Sequence, residues 1–383
     1  MRRSSRSGID PFIVMDVMEE ARALEAAGER VIHMEVGQPG TPAPAGARRA
    51  AAEALENETL GYTVALGLPA LRERIALLYH EWYDLSIDPR RVIVTPGSSG
   101  AFLLAFTALF DAGERVAIGM PGYPSYRALL KVLDLEPVLI ETRAESRYQP
   151  TPEDVAAAGG IAGLLVASPA NPTGTMLDRA ELAALHGALA DKGAVLISDE
   201  IYHGIQYERR AVSALEVADD AIVINSFSKY FSMTGWRIGW MVVPDSMVRT
   251  FERLAQNMFI CAPHISQRAA LAAIDCRKEL AANLAVYDEN RRLLLEELPK
   301  IGFDRIAPPD GAFYIYADVA RLADDSRALA AEILKKARVA VTPGCDFDPA
   351  RGRGTLRFSY AASTEDIREG LARLARFMAE RSG

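Results

Sequence analysis

Lys229 is the only charged residue between Asp220 and Arg237, in the run Ser226-Phe-Ser-Lys-Tyr-Phe-Ser-Met-Thr-Gly-Trp-Arg-Ile-Gly. Burial of an ammonium lowers its pKa and frees the lone pair that attack on a carbonyl carbon requires. Taken alone, the residue reads equally as a lysine snorkelling from a strand end. Its neighbours change that balance. Ser226 and Arg237 flank it at offsets that let a hydroxyl and a guanidinium converge on one phosphate, and Gly235 and Gly239 admit close backbone approach. Asp199 ends an apolar run, where an unpaired carboxylate is costly to bury and a cationic partner is needed; Glu200 beside it reads as facing solvent. Arg357 lies inside the strand-like Thr-Leu-Arg-Phe-Ser, an equally expensive place for a guanidinium without a partner. Gly97, Ser98 and Ser99 stand where a strand passes into a helical pattern (98–110), so that their backbone amides form an anion site. The same three residues also make an ordinary helix cap.

Those residues need elements to hold them. From about 91 to 244 short β-branched runs alternate with longer helical patterns, the signature of a parallel sheet covered by helices. The strand candidates are 91–95, 115–119, 137–141, 163–168, 194–198, 221–225 and 238–243, and their nearly continuous hydrophobicity suits strands buried on both faces. Four of them run straight into polar motifs: Pro96 to Gly100, Ser168 to Gly174, Ser198 to Tyr202, and Ser226 to Lys229. In open α/β sheets ligands gather beyond the carboxyl ends of the strands, so these motifs share one site. After Pro244 the pattern turns helical, with one long stretch over 263–297 able to bridge two domains. Strand-like runs at 311–316, 339–342 and 355–360 and a terminal helix from Ser363 then make a compact α+β unit.

The chain has 383 residues, half of them hydrophobic, enough for a large core in two or three structural units. A net charge of −8 argues against binding a nucleic-acid backbone, and the basic cluster Arg2, Arg3 and Arg6 reads as a solvated tail with no signal peptide or membrane span after it. Cys261, Cys276 and Cys345 are too scattered for a disulfide framework or a zinc site, which points to a reducing cytoplasm. His33, His80, His186, His203 and His264 show no metal-ligand spacing and read as surface or packing residues; no metal is expected.

The lysine segment resembles the signature of the class I/II, fold-type I pyridoxal-phosphate-dependent aminotransferases, and the likeness runs through the other motifs. It implies a large doubly wound, mostly parallel α/β domain with a smaller α+β domain built from both chain ends. The expected division is an N-terminal segment 1–45, a cofactor domain 46–275 and a C-terminal small domain 276–383. It implies pyridoxal 5'-phosphate as cofactor, held by Lys229 as a Schiff base, with Lys229 moving the Cα proton and Lys229, Asp199 and Tyr202 as the catalytic set. By the same resemblance Asp199 binds the ring nitrogen, Asn171 in Asn-Pro-Thr-Gly and Tyr202 in Asp-Glu-Ile-Tyr bond the phenolic oxygen, and Tyr123 in Pro-Gly-Tyr-Pro-Ser-Tyr stacks on the ring. Gly97, Ser98, Ser99, Ser226 and Arg237 hold the phosphate. Tyr62 reaches the phosphate of a neighbouring subunit, which implies a homodimer with shared sites. Arg357 grips the substrate α-carboxylate, and the Gly37 backbone amide touches the same group. The implied substrates are an L-amino acid and a 2-oxo acid. No second arginine marks a side-chain carboxylate clamp; Arg127, Arg143 and Arg210 are unplaced, and Gly344-Cys345-Asp346-Phe347 departs from the small-residue loop of relatives, leaving substrate choice open. The same site could instead run elimination, as a C–S β-lyase or an aminocyclopropane-carboxylate synthase does. A regulator's effector domain is a remoter alternative, for which too few residues precede the first motif.

Overall fold

The computed structural model describes residues 1–382. A helix over Ile13–Ala26 and a two-residue strand, β1 (Ile32–His33), precede a sheet of seven strands. These are β2 (Val92–Thr95), β3 (Arg115–Met120), β4 (Glu136–Glu141), β5 (Gly163–Ala167), β6 (Val195–Asp199), β7 (Ile222–Ser226) and β8 (Gly239–Val242). Each falls within about a residue of the expected run, because a strand buried on both faces must be apolar at every position and is legible as such. Their order is β2-β8-β7-β6-β5-β3-β4. Five neighbouring strands, β4, β3, β5, β6 and β7, are parallel, while β8 runs antiparallel to both β7 and β2. Two apolar clusters cover the two faces, one around Leu164, Leu196 and Val223 and the other around Ile118, Ile197 and Ile224. The alternation of these residues along β5, β6 and β7 is the pleat of the sheet.

The chain then forms β9 (Arg305–Ile306), β10 (Tyr314–Asp318), β11 (Val339–Ala340), β12 (Thr342–Pro343) and β13 (Thr355–Ser359). An antiparallel sheet is ordered β12-β13-β10-β9, and β11 pairs in parallel with β1, so the two chain ends share one unit. The terminal helix covers Thr364–Ser382. Three expectations are corrected here. The single strand expected at 339–342 is split into β11 and β12, which lie in different sheets. The strand read at 311–316 starts three residues later, since Gly311 to Phe313 form an isolated bridge and turn packed beneath Pro169 and Ile205. The helical stretch 263–297 is two helices, His264–Ala273 and Arg277–Lys300, broken at Ile274 to Cys276. The second helix does join both bodies: Leu280 lies in the core of the large sheet and Tyr287, Leu294 and Leu298 in that of the small one.

Candidate active site

A cavity of about 200 Å³ opens beyond the carboxyl ends of the parallel strands, and its charged lining is Lys229, Arg237, Arg357 and Asp199. Three cations against one carboxylate make it a place for anions. Lys229 owes its position to aromatic neighbours. Phe227 and Phe231 are buried with ring centroids 4.8 Å apart, and Phe227 packs 4.9 Å from Trp240 on β8. With these rings inward, the turn after β7 delivers the lysine to the cavity. Its Nζ donates to the Gly37 carbonyl at 2.5 Å and lies 5.7 Å from the centre of the Tyr202 ring. Burial pushes the amine down to about 8, Arg357 and Arg237 push the same way, and Asp199 opposes them. In cofactor-free protein, carbamylation of Lys229 by cyanate should therefore follow an apparent pKa near 8 and, at pH 8, outpace exposed lysines, whose ordinary value is about 10.4. Peptide mass spectrometry across a pH series checks this, and a midpoint near the ordinary value would refute it.

Asp199, last residue of β6, is buried and accepts the Tyr126 hydroxyl and, at 3.1 Å, the Ile201 N–H. Burial lifts the carboxyl to about 6 against the pull of these donors and of Lys229. Glu200, expected to face solvent, is instead fully buried on the opposite side of the strand, where it accepts the Ala214 N–H at 2.7 Å and the Ser213 hydroxyl at 3.0 Å. Burial raises it to about 8, so it stays protonated near neutral pH and acts as a hydrogen-bonded core group.

Ser98 and Ser99 open the helix Gly97–Leu109 and line the cavity with Arg237. Gly97 has φ +70°, and a Cβ there would fall 2.5 Å from Arg237 Nη2; a Cβ on Gly239 would fall 3.0 Å from the Ser98 amide nitrogen. Both glycines are required by that close approach of guanidinium, strand and helix N-terminus. Ser226 does not line the cavity. Its buried Oγ lies 3.1 Å from the Ile238 carbonyl and 2.9 Å from Ser228 Oγ, and it is Ser228 that reaches the lining.

On the small-domain side, Arg357 is buried on β13 with its guanidinium 4.4 Å from the Tyr314 ring centre and 4.7 Å from that of Phe347. It donates to Asn171 Oδ1 at 2.8 Å, to the Glu35 carbonyl and to Thr342 Oγ1, its Nε has no partner, and among the described residues none of its hydrogen bonds or ion pairs reaches a carboxylate. Tyr202 Oη meets Tyr314 Oη at 2.6 Å. Gly37 lines the cavity and its carbonyl accepts Lys229 Nζ, and a Cβ there would collide with Tyr314 Oη. Tyr123 lines the cavity edge-on to Phe12 and Tyr126. Tyr62 is elsewhere, 82% exposed beside Phe259 and Pro263.

The unplaced arginines are not in the cavity. Arg210 pairs with both oxygens of Glu216, Arg143 is exposed, and Arg127 holds the carbonyls of Asp346 and Phe347. Asp346 in turn caps the helix Ile13–Ala26 by accepting the N–H groups of Ile13 at 3.1 Å and Val14 at 3.3 Å. The Gly344–Phe347 loop thus fixes the first turn of that helix, where Phe12, Val14 and Met15 form an apolar wall of the cavity. Sequence reasoning missed this wall, along with Tyr126, Tyr314 and Ser228. Tyr126 and Ser228 stand within three residues of a named site residue, and Tyr314 lies on a recognised strand-like run.

Residues 29–374 match the family model for aminotransferase class I and II. The chain is 45% identical over 382 residues to a valine–pyruvate aminotransferase of Mycobacterium tuberculosis, covering 98% of each chain. It is 33% identical over 387 residues to an aspartate/prephenate aminotransferase of Thermus thermophilus, covering 99% of each. A solved chain from Silicibacter pomeroyi superposes with a TM-score of 0.95 at 66% identity, over 99% of this chain and 100% of that one.

Proposed function

The chain belongs to the class I and II aminotransferases, and within that family we propose a neutral aliphatic L-amino acid as its donor and a small 2-oxo acid such as pyruvate as its acceptor. It is a pyridoxal-phosphate-dependent transaminase, moving an amino group between an amino acid and a 2-oxo acid. The observation that carries the substrate reading is the wall of Phe12, Val14, Met15 and Val36, with no arginine of this chain beyond Arg237 and Arg357 among the described residues of the lining. A second carboxylate placed against that wall would be buried unpaired, at a cost of several kcal/mol. The name of the Mycobacterium tuberculosis relative supports the same substrate pair. In a donor panel with pyruvate, valine and similar residues should exceed aspartate in kcat/KM by about 100-fold or more. Aspartate turning over as well as valine would overturn the reading.

The residues present suit the cofactor. A phosphate is matched by Arg237, Ser98, Ser99, Ser228 and the amides behind Gly97, with Ser226 bracing Ser228. A protonated ring nitrogen is matched by Asp199, whose ionised form a nearby cation would favour. Asn171 and Tyr202 supply donors for a phenolic oxygen, and Tyr123 supplies a ring face. When bound, the cofactor supplies an electron sink for the charge left at Cα. Lys229 carries the Cα proton, and an amine lowered to about 8 is suited to that work because its free and protonated forms coexist near operating pH. Arg357 holds the α-carboxylate by a bidentate contact in a desolvated place. The wall of Phe12 and Val14 excludes water. A homodimer belongs to this proposal: Tyr62, Val64 and Ile260 are exposed together with the apolar cavity at Phe259 and Pro263, a surface suited to a second copy whose phosphate Tyr62 would reach. A cytoplasmic location, read from three unpaired cysteines, is part of the same proposal.

A further inference from the structure

The segment Glu35 to Gly37 aims both reactive cations through its backbone. The Glu35 carbonyl accepts Arg357 Nη2 and, at 2.8 Å, the Thr342 hydroxyl, and the Gly37 carbonyl accepts Lys229 Nζ. Backbone bonds from Met34 to Ala340 and Ser359 hold the chain just before this segment, and the Glu35 side chain is anchored as well. The Glu35 carboxylate is fully buried, with Oε1 2.8 Å from His33 Nδ1 and Oε2 without a hydrogen-bond partner among the described residues. His33 Nε2 lies 3.0 Å from Glu25 Oε1, on the last turn of the helix whose first turn walls the cavity. The ring is thus clamped between two carboxylates. The Glu35 bond, partly offset by burial, and the Glu25 contact lift it to about 9, which keeps it an imidazolium at neutral pH. A buried carboxylate without this partner would draw in water or move.

We propose that the His33–Glu35 pair is a positioning device that holds the Glu35 carbonyl in place and thereby keeps Arg357 aimed at the substrate carboxylate. The inference rests on the reading of Arg357 as the carboxylate clamp. His33 and Glu35 do not line the cavity, and the Glu35 carbonyl bears on Arg357 whereas Lys229 meets Gly37 two residues on, so their loss weakens amino-acid binding far more than it slows the chemistry at Lys229.

Two histidine replacements separate this from a general stabilising role. An asparagine amide reaches the place of Nδ1 and keeps the Glu35 contact, whereas a glutamine amide reaches the place of Nε2 and keeps only Glu25. Single-turnover reaction of holoenzyme with valine gives an apparent Kd and a limiting rate, and fluorescence titration gives the pyridoxal phosphate affinity. His33→Gln should raise the apparent Kd for valine by about tenfold, inside the roughly 100-fold that an ångström of misplacement costs. Its limiting rate should change less than about twofold and its cofactor affinity should hold, while His33→Asn stays near wild type. Should His33→Gln fail to fold, Glu35→Leu, which strands no buried anion, is expected to show the same raised Kd. Equal effects of His33→Asn and His33→Gln, or a lowered Tm with unchanged Kd, overturn the proposal while Arg357→Leu still weakens binding. If Arg357→Leu itself leaves valine binding unchanged, the clamp reading has failed and the proposal falls with it.

Discussion

Lys229→Ala is expected to fold and to lose amino-group transfer by about 10⁴-fold or more. Proton transfer by a positioned side chain contributes about 10²–10⁴-fold by itself, and here the covalent anchor goes with it. Folding should survive because the turn is held by Phe227, Phe231 and Trp240 and by the Lys229 carbonyl, which accepts the Ser232 N–H and is kept in alanine, not by the lysine side chain, whose amine donates to the Gly37 carbonyl. Removing a half-buried amine also relieves its repulsion with Arg357 and Arg237. Circular dichroism and Tm near wild type, with valine–pyruvate exchange at trace level, are the predicted results. Turnover within tenfold of wild type would mean that another group carries the proton.

Arg357→Leu has the next largest effect, and a selective one. Truncating one partner of a desolvated charge pair costs about 2–5 kcal/mol, and that loss should appear in kcat/KM for every amino acid tried. Simple amines, which carry no carboxylate, should lose little, and the absorbance of the bound cofactor should be nearly unchanged. The replacement removes the Arg357 donor from Asn171 Oδ1 and leaves the Glu35 carbonyl only the Thr342 hydroxyl, so some loss of stability is expected as well. The ratio of the two losses separates the roles: equal losses for amino acids and plain amines would make Arg357 a structural residue.

The large sheet was legible because parallel strands covered on both faces must be apolar throughout, so 163–168 and 221–225 could be read almost to the residue. The polar motifs at their ends were legible for the same reason, since Asp199 and Lys229 stand out against apolar runs. The breaks in the small domain were not. Strands β11 and β12 have two residues each, and the helix beginning at Arg277 starts behind Cys276 with no side-chain cap, so neither pattern nor capping chemistry announces them. The partners of the site residues were invisible for a different reason. Tyr126 with Asp199, Tyr314 with Tyr202 and Glu35 with Arg357 are contacts across 73, 112 and 322 positions, and sequence spacing carries no record of which distant groups a fold brings together. Ser226 shows the limit at short range. Its offset from Lys229 matched a phosphate ligand, yet its hydroxyl faces the Ile238 carbonyl and Ser228 takes the cavity side.

The central claim is that Lys229 carries the cofactor in this cavity. Borohydride reduction of the holoenzyme, followed by digestion and mass spectrometry, fixes the cofactor to whichever lysine holds it. The account predicts one phosphopyridoxyl group per chain, on the peptide containing Lys229, and none after prior incubation with excess valine alone, which converts the bound cofactor to its amine form. A label on any other lysine, or a Lys229 peptide that remains unmodified while the yellow colour is lost, would contradict it.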